Sequence, residues 1–168
     1  METELRFKVD QQAIAHLALA NGHFIGKECT MTDIARASIH TCCYLWMLAH
    51  PDFKGVPGFH EECREQAHWL FEPETYRLLT AGARNANFLD PNTLEVRNFQ
   101  ANLMKSFTAR ESKSMKLQVH LPYGLWRRVK AAFGFRHGAT NEAFANLMAA
   151  LLRHAEALEL PIEETGDV

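Results

Sequence analysis

Between residues 116 and 121 the apolar side chains Leu117, Val119 and Leu121 alternate with the polar side chains Lys116, Gln118 and His120. This is the period of a strand with one buried face. Pro122 closes it, and the period then changes. Leu125, Val129, Ala132 and Phe133 fall on one face of a helix that Gly134 and Gly138 bring to an end. Thr140-Asn141-Glu142 reads as the next helix start, a capping hydroxyl followed by an early acid. Phe144, Leu147, Met148, Leu151, Leu152, Ala155 and Leu158 then recur at helical spacing, a stripe apolar enough to require a partner.

The same order occurs at the start of the chain. Leu5, Phe7 and Val9 alternate with Glu4, Arg6 and Lys8 and predict a second strand. Asp10 suits an N-cap, and Ala13, Leu17 and Ala20 mark a helix over 11–21 that Asn21-Gly22 breaks. After a turn at Gly26, the cluster Thr30-Met31-Thr32-Asp33 opens another helix. Its face carries Ala35, Ile39, Cys42, Cys43 and Trp46 as far as His50 and Pro51. These patterns predict two strand-helix-helix repeats, against the simpler alternative of one terminal strand followed by two ordinary helices. Between them lie a loop over 53–58, helices over 59–71, 73–87 and 91–108, and a polar basic linker over 109–115. The expected organisation is a first repeat over 1–50, a helical insert and linker over 51–114, a second repeat over 115–160 and an acidic tail over 161–168.

A polar-faced strand, a short helix, a glycine turn and a longer apolar helix started by Thr140 resemble the ribbon-helix-helix (Arc/MetJ-like) DNA-binding proteins, here in a single-chain tandem form. The resemblance implies a mostly α fold with a two-stranded antiparallel β-ribbon whose exposed face enters the major groove. Whether the ribbon forms within one chain or between two is open. Joining strands about a hundred residues apart is not prohibitive, because loop-closure entropy grows only logarithmically. The family's three outward reading positions map onto Glu4, Arg6 and Lys8 and onto Lys116, Gln118 and His120.

The residue types at those positions suit base edges. Arg6, Lys8 and Lys116 match the guanine O6 and N7 acceptors, Gln118 matches the acceptor and donor of adenine, and His120 can donate to N7 or to phosphate. Glu4 departs from a basic or amide reader. At the start of each second helix, free backbone N–H groups suit phosphate, with Thr32, Thr140 and Asn141 adding side-chain contacts while Asp33 opposes them. The plainer alternatives are a solvated strand face and ordinary helix caps.

Charge strengthens the DNA reading only when it is split along the chain. The whole sequence of 168 residues has a net charge of −2. Residues 155–168, however, hold Glu156, Glu159, Glu163, Glu164 and Asp167 with no Lys or Arg. Residues 97–136 hold Arg97, Lys105, Arg110, Lys113, Lys116, Arg127, Arg128, Lys130 and Arg136 against Glu111 alone. Arg110, Lys113 and Arg136 are therefore candidate phosphate contacts.

With 47% hydrophobic residues the chain can bury a real core. The opening Met1-Glu2-Thr3-Glu4 is unlike a secretory leader, so a soluble cytoplasmic protein without membrane association is expected. Cys29, Cys42, Cys43 and Cys63 lack metal-ligand spacing and are expected as reduced thiols. His60-Glu61-Glu62-Cys63-Arg64 lacks the second histidine of a zinc-protease helix, although His60, Cys63 and His68 could converge on a metal. No nucleophile elbow, phosphate loop or dinucleotide fingerprint is present, so neither an enzyme nor a cofactor is expected.

The layout also resembles plasmid-borne regulators of conjugation. That resemblance implies a transcriptional activator at promoters of transfer genes, acting on double-stranded DNA as a homo-oligomer and through RNA polymerase. A relaxosome accessory protein using the same ribbon and a helical interaction module such as an antitoxin are the alternatives.

Overall fold

The computed structural model describes residues 2–11, 14, 15, 17, 18, 24, 26–83 and 114–133. Strand β1 (Glu2–Asp10) is followed by a helical segment that includes Gln11, Ile14, Ala15, Leu17 and Ala18. Three helices come next: α1 (Met31–Ala49), α2 (Phe59–Leu70) and α3 (Pro73–Ala83). Strand β2 (Ser114–Pro122) and helix α4 (Leu125–Phe133) complete the described chain. The described residues are mostly helical, with one two-stranded antiparallel sheet among them. The expected helices over 91–108 and 140–158 lie outside the described residues.

β1 and β2 pair within the one chain, from Glu2 opposite Pro122 to Asp10 opposite Ser114. The strands thus extend past the alternating stretches at both ends, and Asp10 is both the last residue of β1 and the residue directly before the helical Gln11, the position of a cap. Pro122 lies at the strand end, where its missing N–H costs least. A two-stranded ribbon is barely stable alone, so its apolar face must be covered. Phe7, Leu117, Val119 and Leu121 are buried beneath it, each contributing roughly 1.5–3 kcal/mol on burial. Trp126, at the start of α4, meets Phe7 edge to face with ring centroids 5.2 Å apart. Such a pair adds about 0.5–1.5 kcal/mol beyond its area.

Among the described elements, helix α1 is packed against the most others. Its start is a reciprocal cap: the Thr30 N–H donates to Asp33 Oδ2 at 3.0 Å and the Asp33 N–H donates to Thr30 Oγ1 at 3.1 Å. The cap is therefore Thr30, and Thr32 sits half-buried in the first turn. The sequence suggested a single apolar face. Instead Ile34, Ala35 and every residue from Ala37 to Met47 are buried. The reason is enclosure on several sides: α2 and α3 pack on α1, as do α4 and β2. Ser38 and Thr41 fit this dry site because their hydroxyls donate to the Ile34 and Ala37 carbonyls, at 2.8 and 2.7 Å.

Among the described residues of the segment after β1, Leu17 of the expected stripe is buried, as is Ile14, with Ala18 half-buried; Ala13 and Ala20 lie outside the described residues. The loop after α1 turns through Gly55 and Gly58, both at positive φ, and folds Phe53 edge-on against Trp46 at 5.5 Å.

Candidate nucleic-acid interface

The register decides which side chains the outer face of the ribbon presents. Directly opposed residues of antiparallel strands share a face, so the outer face is built from both ends of the sequence. Arg6 stands opposite Gln118 and Glu4 opposite His120, while Lys8 and Lys116 hold opposed register positions. Glu4, Arg6, Lys116, Gln118 and His120 are all exposed, whereas Phe7, Leu117 and Val119, which alternate with them, are buried. The face offers guanidinium, ammonium, amide and imidazole groups and the Glu4 carboxylate to a partner, and Glu2 and Asp10 hold register positions of the same parity at its two ends. Of the expected base-contacting residues, Arg6, Lys116, Gln118 and His120 are thus brought together on one surface, and Lys8 occupies β1 beside them.

The expected phosphate-contacting residues fare differently. Thr32 belongs to the first turn of α1, where the Asp33 carboxylate already accepts the Thr30 N–H. A carboxylate at that helix end opposes a phosphate, as the sequence suggested. Arg110, Lys113, Arg136, Thr140 and Asn141 lie outside the described residues.

All four cysteines are reduced, and burial raises the Cys42, Cys43 and Cys63 thiols well above their usual range, which makes them poor nucleophiles. His60 and His68 are exposed and Cys63 is buried, so the three do not converge. His60 lies edge-on to Tyr44 at 5.4 Å and His68 stacks on Tyr76 at 3.8 Å. Among the described residues no cluster of His, Cys, Asp or Glu could hold a metal ion. No described helix is long and apolar enough to cross a membrane.

Two features of this region have no signal in the sequence. A shallow cleft of about 360 Å³ is lined by Glu28, Asp33, Arg36, Gln66 and Trp69. His40 is buried at 3% exposure, with Nε2 3.8 Å from Glu62 and Nδ1 without a hydrogen bond. Burial, reinforced by the Arg36 charge and only partly offset by the nearby Arg36 carbonyl, lowers its pKa to about 4. Comparison with known proteins finds no matching family model, no matching curated protein and no matching solved structure.

Proposed function

We propose that this chain is a sequence-specific DNA-binding transcriptional regulator that inserts its antiparallel ribbon into the major groove. The observation that carries the reading is the division of the ribbon: its inner face is core, and its outer face gathers Arg6, Lys116, Gln118 and His120 from strands about a hundred residues apart in sequence. A two-stranded ribbon fits the width of the major groove, and these groups match the donor and acceptor pattern displayed there.

In this reading the protein is a tandem ribbon-helix-helix chain. β1 with the helices after it forms one unit, β2 with α4 and residues 134–160 forms the other, and α2 and α3 belong to an insert that braces α1. Two such chains on one site would supply the palindromic symmetry common among regulators. Promoters of plasmid transfer genes are the expected targets, with RNA polymerase the partner for activation. A relaxosome accessory role would use the same face at a transfer origin.

A gel shift on random-sequence duplex, repeated as salt rises, tests DNA binding itself. Affinity should fall steeply with salt, by roughly 0.9 in log-log slope for each phosphate contacted. Neutral elution from heparin with no shift at low salt would instead indicate a protein-interaction module. Mapping the bound sites across a host genome then separates promoters from a transfer origin.

A further inference from the structure

The ribbon positions of outward parity carry acids as well as bases. Glu2, Glu4 and Asp10 stand among Arg6, Lys8 and Lys116, which leaves these positions nearly balanced in charge. A face built only of cations grips every duplex alike, through phosphate. Carboxylates among the cations weaken that general grip, so their place on such a face calls for another reason.

Glu4 has a specific neighbour. It stands directly opposite His120 in the antiparallel register, and both residues are exposed. Opposed side chains on one face have Cβ atoms roughly 4.5–5.5 Å apart, so the two groups leave the ribbon side by side. Among the described residues neither side chain forms a hydrogen bond or an ion pair. An acceptor and a donor are therefore held next to each other, both open to a partner.

Base pairs differ in where donors and acceptors stand in the major groove. Cytosine presents an amino donor with no acceptor beside it, and its partner guanine presents the acceptors N7 and O6. A carboxylate beside an imidazole N–H is the complement of that pair. At thymine or guanine the carboxylate meets acceptors, and at adenine it meets N7 next to the amino donor. The opposed residues at the centre of the ribbon behave otherwise. Arg6 suits guanine and Gln118 suits adenine, two bases that never share a Watson–Crick pair.

We propose that Glu4 and His120 together read a single cytosine–guanine pair, Glu4 accepting from the cytosine amino group and His120 donating to guanine N7. The proposal rests on the reading of the ribbon as a DNA-binding surface and adds to it a specificity-determining residue. Glu4, which departs from a basic or amide reader, contributes discrimination in place of general affinity: it favours one base and repels the alternatives.

Selection of sites from a randomised duplex library, with the full chain, tests this. The wild type should enrich a motif containing a fixed cytosine–guanine pair. Glu4→Gln keeps the size of the side chain and installs the amide that suits adenine. It should switch that position from cytosine to adenine, with the preference for cytosine reduced roughly ten-fold or more. His120→Ala should relax the same base pair and no other. On duplex lacking the motif, Glu4→Gln should bind several-fold tighter than the wild type, because a charge that repels phosphate is gone. Both variants should melt with the wild type, since both side chains are exposed. A Glu4→Gln variant that enriches the wild-type motif, or a His120→Ala variant that relaxes a different base pair, overturns the proposal and leaves the ribbon reading in place. If the wild type enriches no motif, the ribbon reading itself falls, and this proposal with it.

Discussion

Arg6 and Gln118 face one another at the midpoint of the ribbon, with four residue pairs on either side. They lie on the axis that would relate the two strands if the strands were identical. Because the two residues differ, the ribbon is asymmetric at its centre, and on the proposed reading any DNA site bound there should be asymmetric too. Arg6→Ala and Gln118→Ala should each cost on the order of 1–3 kcal/mol against the best site and relax preference at different base pairs. Selection from randomised DNA with each variant checks this. A motif relaxed at two symmetry-related positions by Gln118→Ala and untouched by Arg6→Ala would mean that β1 stays out of the groove.

Phe7 holds the ribbon to the helices through Trp126. Replacing it with alanine removes the ring and leaves a cavity, at a cost of about 3 kcal/mol or more. Urea denaturation should show that loss as a lower midpoint with little change in slope. DNA binding should weaken alongside it, since Arg6 and Gln118 depend on the ribbon staying seated.

His40 makes stability depend on pH. The folded chain holds this imidazole neutral down to a pKa of about 4, against 6.5 for an unperturbed histidine. Between those values the unfolded chain binds a proton that the folded chain refuses. Its contribution is therefore complete above pH 6.5 and is lost progressively as pH falls toward 4, by about 3 kcal/mol in total. His40→Leu should flatten the dependence of the unfolding free energy on pH across this window. The change in stability at neutral pH should be small, since Nδ1 makes no hydrogen bond of good geometry and only its approach to the Arg36 carbonyl is lost. An unchanged pH profile in that variant would place the titration elsewhere.

The cap of α1 is a local device with a local consequence. Thr30→Ala removes the hydroxyl that accepts the Asp33 N–H and should destabilise the protein by about 1 kcal/mol. A thermal melt lowered by a few degrees is the expected readout. Because Thr30 is remote in sequence from the ribbon and is not among its outer-face residues, affinity for DNA below the melting range should stay the same.

How much of this was legible beforehand follows from what periodicity encodes. Alternation in 4–9 and 116–121 is enough to assign each strand and to say which side chains face water, because a strand with one covered face can be written in no other way. Helical spacing likewise placed α1, α2, α3 and α4 to within a few residues. Thr30 and Asp33, three apart, carried the start of α1 in their chemistry. The outer-face residues Arg6, Lys116, Gln118 and His120 were legible for the same local reason.

Only the tertiary structure decided that β1 and β2 pair with each other, antiparallel, with Arg6 opposite Gln118. Alternation fixes the covered face of a strand and leaves its partner unspecified. The same limit applies to Trp126, whose burial depends on Phe7 lying above it, and to Ile14, which sits off the alanine stripe that marked its helix. It applies most strongly to α1. A stripe of apolar residues signals one covered face, but the elements that enclose the rest of this helix come from distant parts of the chain. His40 is held neutral in the core by that enclosure, and since burial is a property of the assembled neighbours, no local pattern around residue 40 could have announced it.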